Sequence, residues 1–192
     1  MALIDVLKAR GNNQCELCKS ENNLGLYEVP PHSEQREGDT ILVCEKCNLQ
    51  LNKKEELDSA HWQCLNESMW SEVLPVQVVT WRMLNRLRNE SWAADALDQM
   101  YFDDETLAWA KSMGDQDDNG MVELHKDSNG NQLFDGDTVV LIKTLDVKGS
   151  TLSAKLGTVV KGIRLVPDNF EQIEGKIDSQ TIVILTKYLR KG

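Results

Sequence analysis

Two identical C-x-x-C pairs, Cys15-Glu16-Leu17-Cys18 and Cys44-Glu45-Lys46-Cys47, constrain this chain more than any other feature. A tight C-x-x-C turn aims two thiolates and nearby backbone N–H groups at one point. Two such turns complete a tetrahedral sulfur shell for zinc, with bonds of about 2.3 Å. The ion lowers the thiol pKa, so all four ligands bind as thiolates. Other readings compete. A thioredoxin-like pair follows a strand and opens a helix, whereas Cys15 and Cys18 sit between GNNQ and KSENN, which is turn chemistry. A redox pair also leaves the second pair without a role. Disulfides conflict with a reducing compartment, and iron–sulfur ligand runs are usually more compact than a gap of 25 residues. The expectation is one structural Zn2+ held by Cys15, Cys18, Cys44 and Cys47.

The segment between the pairs fits a ribbon. Leu24–Pro30 and Thr40–Cys44 are strand-like, with Glu34–Asp39 as a loop between them, and the second strand delivers Cys44 into its turn. A zinc ribbon is therefore expected over residues 1–58. Such sites usually replace a hydrophobic core that a small module cannot build. Catalytic zinc keeps an open position for water, and a four-cysteine set leaves none evident. His61 and Cys64, in HWQC, can share one helix face, but no further Cys or His lies nearby to complete a second site. They read as a packed histidine beside Trp62 and a buried cysteine.

No apolar run approaches the roughly 18 residues of a membrane span. The start, MALIDVLKARGNNQC, lacks the basic and long apolar regions of a secretory signal, so a cytoplasmic protein is expected. Net charge is −10 with pI near 4.8, which disfavours non-specific duplex binding. The charge is uneven: residues 61–119 carry four basic and eleven acidic groups, and residues 120–192 carry ten and nine. An anion-binding face on the last part stays open.

From residue 59 to 114 the pattern is helical. Val76, Val79, Met83, Leu84 and Leu87 recur at helical spacing after Pro75, which suits a first turn. A second helix is expected over SWAADALDQMYF with Ser91 as cap, and a third over DDETLAWAKSMG with Asp103 or Asp104 as cap and Gly114 as stop. All five tryptophans, residues 62, 70, 81, 92 and 109, fall here and are expected to fill the core of a small bundle. The neighbourhood of Trp81, Arg82 and Arg86 is the alternative, an exposed partner site. Ser112–Gly120 reads as an acidic linker whose likeness to a calcium loop lacks the closing glutamate.

After the linker the period becomes strand-like. MVELHKD alternates, Asn129-Gly130 signals a hairpin, and DGDTVVLIKTL, GTVVKGIRLV, EQIEGKI and TIVILTKYL follow. Five or six short strands predict a small, closed or nearly closed SH3-like β-barrel over residues 120–192. Lys143, Lys148, Lys161 and Arg164, with Lys155 and Lys176, are candidates for a basic binding face, against the alternative of ordinary solvated surface with interleaved acids. No nucleophile has a base beside it. The fold class is thus α+β in three parts: zinc ribbon, helical segment, small barrel.

Lys126–Val166, with Gly175-Lys176-Ile177-Asp178 and the closing TKYLRK, resembles the PhnA family across nearly all of residues 122–191. The N-terminal CELC…CEKC is similar to that family's zinc ribbon, with a longer separation than in its short members, and SAHWQCLNESMW and VVTWRMLNRLR match its longer members. The resemblance implies a zinc ribbon joined to an SH3-like domain, of unsettled activity, with a name drawn from an alkylphosphonate-uptake operon. An unrelated phosphonoacetate hydrolase shares the letters. Metal-assisted C–P hydrolysis needs open sites of Asp and His, which three dispersed histidines do not supply.

Three functions are weighed. The leading expectation is a non-enzymatic adaptor with a protein partner and no membrane role. The second is nucleic-acid binding through the C-terminal basic residues. The third and weakest is a phosphonate-related hydrolase.

Overall fold

The computed structural model of the protein describes residues 2–146, 153–167 and 169–192, and divides them between two units, Met1–Val122 and Glu123–Gly192. In the first unit, helix α1 (Leu3–Arg10) leads into the first cysteine turn. Strand β1 (Gly25–Glu28) pairs antiparallel with β2 (Thr40–Val43), Gly25 opposite Val43 and Glu28 opposite Thr40. All of β2 is buried, which explains its continuous apolar run in place of alternation. Helix α2 (Glu45–Leu51) starts directly after Cys44. Then follow α3 (Ser59–Trp62), α4 (Leu65–Ser68), α5 (Leu74–Arg86), α6 (Ser91–Leu97) and α7 (Asp104–Lys111).

The ribbon and the helices share one hydrophobic core, in which Cys15, Ile41, Val43 and Cys47 join Trp62, Leu65, Val76 and Leu84. α5 runs through it, and Arg82 and Arg86 are as buried as its apolar residues. This corrects the alternative of an exposed arginine surface. Arg82 Nε donates to the Ala110 carbonyl at 3.0 Å, and its guanidinium also reaches the carbonyls of Trp109 at 2.7 Å and Pro30 at 2.8 Å. It thereby adds a donor to carbonyls at the end of α7, where that of Trp109 also accepts from Ser112. The presumed linker folds back onto the same helix: Asp115 lies 3.8 Å from Arg82 and Asp118 3.8 Å from Arg86. Buried arginines need such counter-charges. Gly120 closes this return at φ +72°, where a Cβ would overlap the Arg86 carbonyl oxygen. The tryptophans divide: Trp62 is fully buried and donates to Gln50 Oε1 at 2.6 Å, Trp81 is buried, Trp92 and Trp109 are half-buried, and Trp70 is 66% exposed.

Among the described residues, eight short strands build the second unit: β3 (Val139–Leu141), β4 (Leu145–Asp146), β5 (Ser153–Ala154), β6 (Val159–Val160), β7 (Arg164–Leu165), β8 (Gln172–Ile177), β9 (Gln180–Leu185) and β10 (Leu189–Lys191). They pair antiparallel as β10-β3-β6, β4-β5 and β7-β8-β9. Among the described residues these sheets do not close into one barrel, contrary to expectation; most ladders are two or three residues long. MVELHKD forms no strand, only a bridge between Lys126 and Gln132 around the predicted turn. The pair β8–β9 turns through Asp178 and Ser179, both at positive φ, the type I′ geometry that matches strand twist. The sheets enclose a separate core of Leu133, Val139, Leu141, Val160, Ile163, Ile173, Ile184 and Leu189. Val160 on β6 presses so closely on β8 that a Cβ at Gly175 would overlap it.

Candidate metal centre

The two cysteine turns are brought together by the acid inside the first. Glu16 is 7% exposed. Its carboxylate accepts from the Leu42 N–H at 2.7 Å and from Arg10 at 2.7 and 2.8 Å, while its own N–H donates to the Leu42 carbonyl at 2.8 Å. Arg10 also donates to the Thr40 carbonyl at 2.8 Å. α1 is thus tied to β2, and the first turn is fixed two residues ahead of Cys44. Within that turn Lys19 adopts φ 63°, and its N–H closes onto the Cys15 carbonyl at 2.9 Å. In the second, the Cys47 N–H approaches Cys44 Sγ at 3.5 Å, as the Cys18 N–H approaches Cys15 Sγ at 3.5 Å.

The four sulfurs all lie within 4.8 Å of one another. Cys15 and Cys47 are 3.9 Å apart, Cys18 and Cys44 3.5 Å. Tetrahedral Zn–S bonds of about 2.3 Å separate sulfurs by about 3.8 Å, so the donor set fits an ion of that size. Its electrostatics point the same way. Hydrogen bonding with the sulfurs of Cys18 and Cys47 holds the Cys15 thiol down at about 2. Their bonds to Cys15 push Cys18 up to about 12 and Cys47 well above the ordinary thiol range. The cluster accepts one negative charge readily and resists the next, unless a cation sits among the sulfurs. Among the described residues this is the one group of three or more side chains placed to hold a metal ion.

His61 was read as a histidine packed beside Trp62. The rings do meet edge to face at 5.3 Å, but His61 Nε2 also lies 3.2 Å from Cys47 Sγ. Asp58 fixes this placement by capping α3, its carboxylate accepting the His61 N–H at 3.1 Å. With a cation held by the four cysteines, Cys47 would be a thiolate that can only accept, and the imidazole would donate to it. The H-x-x-C spacing joins His61 to Cys64 and gives no sign of this contact, whose partner lies 14 residues away. Cys64 lines a cleft of about 470 Å³ with Cys18, Cys44 and His61, outside the four-sulfur group. Burial, and then the charge of Cys15, push its thiol up to about 12.

The C-terminal candidates scatter. Lys161 and Arg164, with Lys176, line one cleft of about 420 Å³. Lys143 is apart from it, with Nζ 5.1 Å from the Tyr188 ring. Lys155 is exposed elsewhere. Lys148 lies outside the described residues. Residues 125–192, which include this cleft, match the family model described as the PhnA domain. The C-terminal unit carries a PhnA domain.

Curated relatives are similar to part of the chain. Protein YjdM of Escherichia coli strain K12 is 57% identical over 53 residues, 28% of this chain and 47% of the relative. Protein YjdM of Streptococcus mutans is 54% identical over 59 residues, 31% and 51%. The YjdM homolog of Haemophilus influenzae is 43% identical over 67 residues, 35% and 52%. The chain spans about half the length of these relatives. No helix among the described residues is long and apolar enough to cross a membrane.

Proposed function

We propose that the protein is a non-enzymatic adaptor whose first unit is built around one structural zinc ion and whose PhnA domain offers a binding surface to a protein partner. The observation that carries this reading is the donor set. Four sulfurs at tetrahedral spacing fill the coordination of zinc and leave no position for a water nucleophile. A set of this kind favours structure over turnover and counts against a phosphonate hydrolase. Small domains of short antiparallel sheets serve as compact recognition surfaces, and this analogy of fold supports a protein partner. Two experiments test the proposal. Cys44→Ser should lose about one equivalent of zinc and unfold the first unit; a first unit that stays folded in chelator sinks the structural-zinc part. Affinity capture from the native lysate should recover a protein partner that survives nuclease.

A second reading is favoured by one observation: Lys161, Arg164 and Lys176 converge on a single cleft of the PhnA domain. On this reading the domain binds nucleic acid. With three cations engaged, log K should fall with log[salt] at a slope of about 2 for a single strand. Binding should disappear in the Lys161→Glu, Arg164→Glu double variant.

A further inference from the structure

We infer that the cleft between β7, β8 and β9 of the PhnA domain is a site for a small phosphate monoester. The inference narrows the anion-binding reading of that domain and rests on it. The pleat places the charges. On β8, Ile173, Gly175 and Ile177 are buried, so Glu174 and Lys176 stand on the opposite, solvent face. Arg164 is paired with Glu174 in register, and Thr181 with Lys176. These side chains share one face, and Lys161 joins them across Gly162, where nothing lies within 4 Å of a Cβ position. Lys161, Arg164 and Lys176 are exposed, and none forms an ion pair within 4.0 Å among the described residues.

Three features select the ligand. Three cations against the single carboxylate of Glu174 leave the lining near +2, which complements a phosphate monoester carrying a charge of about −2. Arg164 supplies a planar fork for two phosphate oxygens, and the lysines supply point charges. At about 420 Å³ the cleft has small-molecule size. No aromatic ring lines it, so it has no platform for stacking the bases of a single strand.

The test is calorimetric titration of the full chain with inorganic phosphate, adenosine 5′-monophosphate and a short thymidine oligonucleotide at low salt. Saturable 1:1 binding of the monophosphate is expected. Arg164→Gln should weaken it about tenfold or more, and Lys176→Gln less, as bidentate contacts are stronger than single ones. Glu174→Gln should tighten it, a gain that misfolding cannot mimic. Lys187→Gln and Arg190→Gln, exposed cations outside the cleft, should leave it unchanged. Equal losses from those two control variants would overturn the site in favour of diffuse charge. Binding of the oligonucleotide alone overturns the small-ligand proposal while the nucleic-acid reading stands. Binding of none of the three removes both.

Discussion

At the scale of single residues, His61 and Gly175 carry the clearest consequences. His61 Nε2 lies 3.2 Å from Cys47 Sγ; with zinc in the proposed site it would donate to the bound thiolate, withdraw charge from it and fix its direction. Partners of this kind typically change metal affinity by about 10–100-fold. His61→Ala should therefore release zinc to a competing chelator at least about tenfold faster. His61→Gln, which keeps a donor, should recover part of the loss. Equal release rates in all three proteins would reduce His61 to a packing residue against Trp62. Gly175 makes a different demand. Its missing side chain is the space that Val160 fills, so Gly175→Ala forces two sheets apart and should cost the PhnA domain about 1–3 kcal/mol. Denaturant unfolding monitored within that domain measures it. The pair Gly175→Ala, Val160→Ala should recover part of the loss.

Elements are held by a few polar side chains, and Asp127 shows how. Its carboxylate accepts the N–H groups of Asn129 and Asn131 at 2.8 Å, and that of Lys191 on β10 at 2.8 Å. Burial opposes its ionisation, but these donors outweigh burial and hold its pKa below the usual value. A depressed carboxylate contributes its stability in full above the unfolded-state pKa of about 3.9 and loses it as pH falls through the folded value. Asp127→Asn should therefore lower stability at pH 7 and remove this part of the acid sensitivity. Identical acid-unfolding midpoints in the two proteins would contradict it. The same residue marks what sequence could reveal. The turn at Asn129-Gly130 was legible from local chemistry, as were β1, β2, the cap at Asp103 and the two cysteine turns, because short-range spacing encodes them. The role of Asp127 depends on a partner 64 residues away, and no spacing announces that. Arg82 and Asp115 failed for the same reason. As charged residues they read as surface or linker, and their burial follows from contacts distant in sequence, Arg82 with carbonyls at the end of α7 and Asp115 with Arg82. The closed barrel was overread because alternation predicts strands and not which sheet each one joins.

For the whole molecule, composition and cores divide together. Residues 1–122 carry eleven basic and twenty-two acidic side chains, and residues 123–192 carry ten and nine. Among the described residues, the core containing Cys15, Cys44 and Cys47 is drawn from the first unit and the other core from the PhnA domain. Metal should therefore govern one unit and not the other. Structural zinc binding in small modules is worth about 10–16 kcal/mol, comparable with the 5–15 kcal/mol of whole domains, or about that range. On the structural-zinc proposal, a first unit whose core contains three of the four sulfurs should unfold when the ion is removed. The tryptophans make the measurement selective, since all five lie between residues 62 and 109. On addition of a strong chelator, tryptophan emission should shift to that of exposed indole and far-UV helical signal should fall. Amide resonances of residues 123–192 should stay dispersed and in place, because nothing in their core depends on the ion. Re-addition of zinc should reverse the change at one equivalent. If the resonances of the PhnA domain collapse with the tryptophan signal, its fold depends on the first unit and the two cores are not energetically separate.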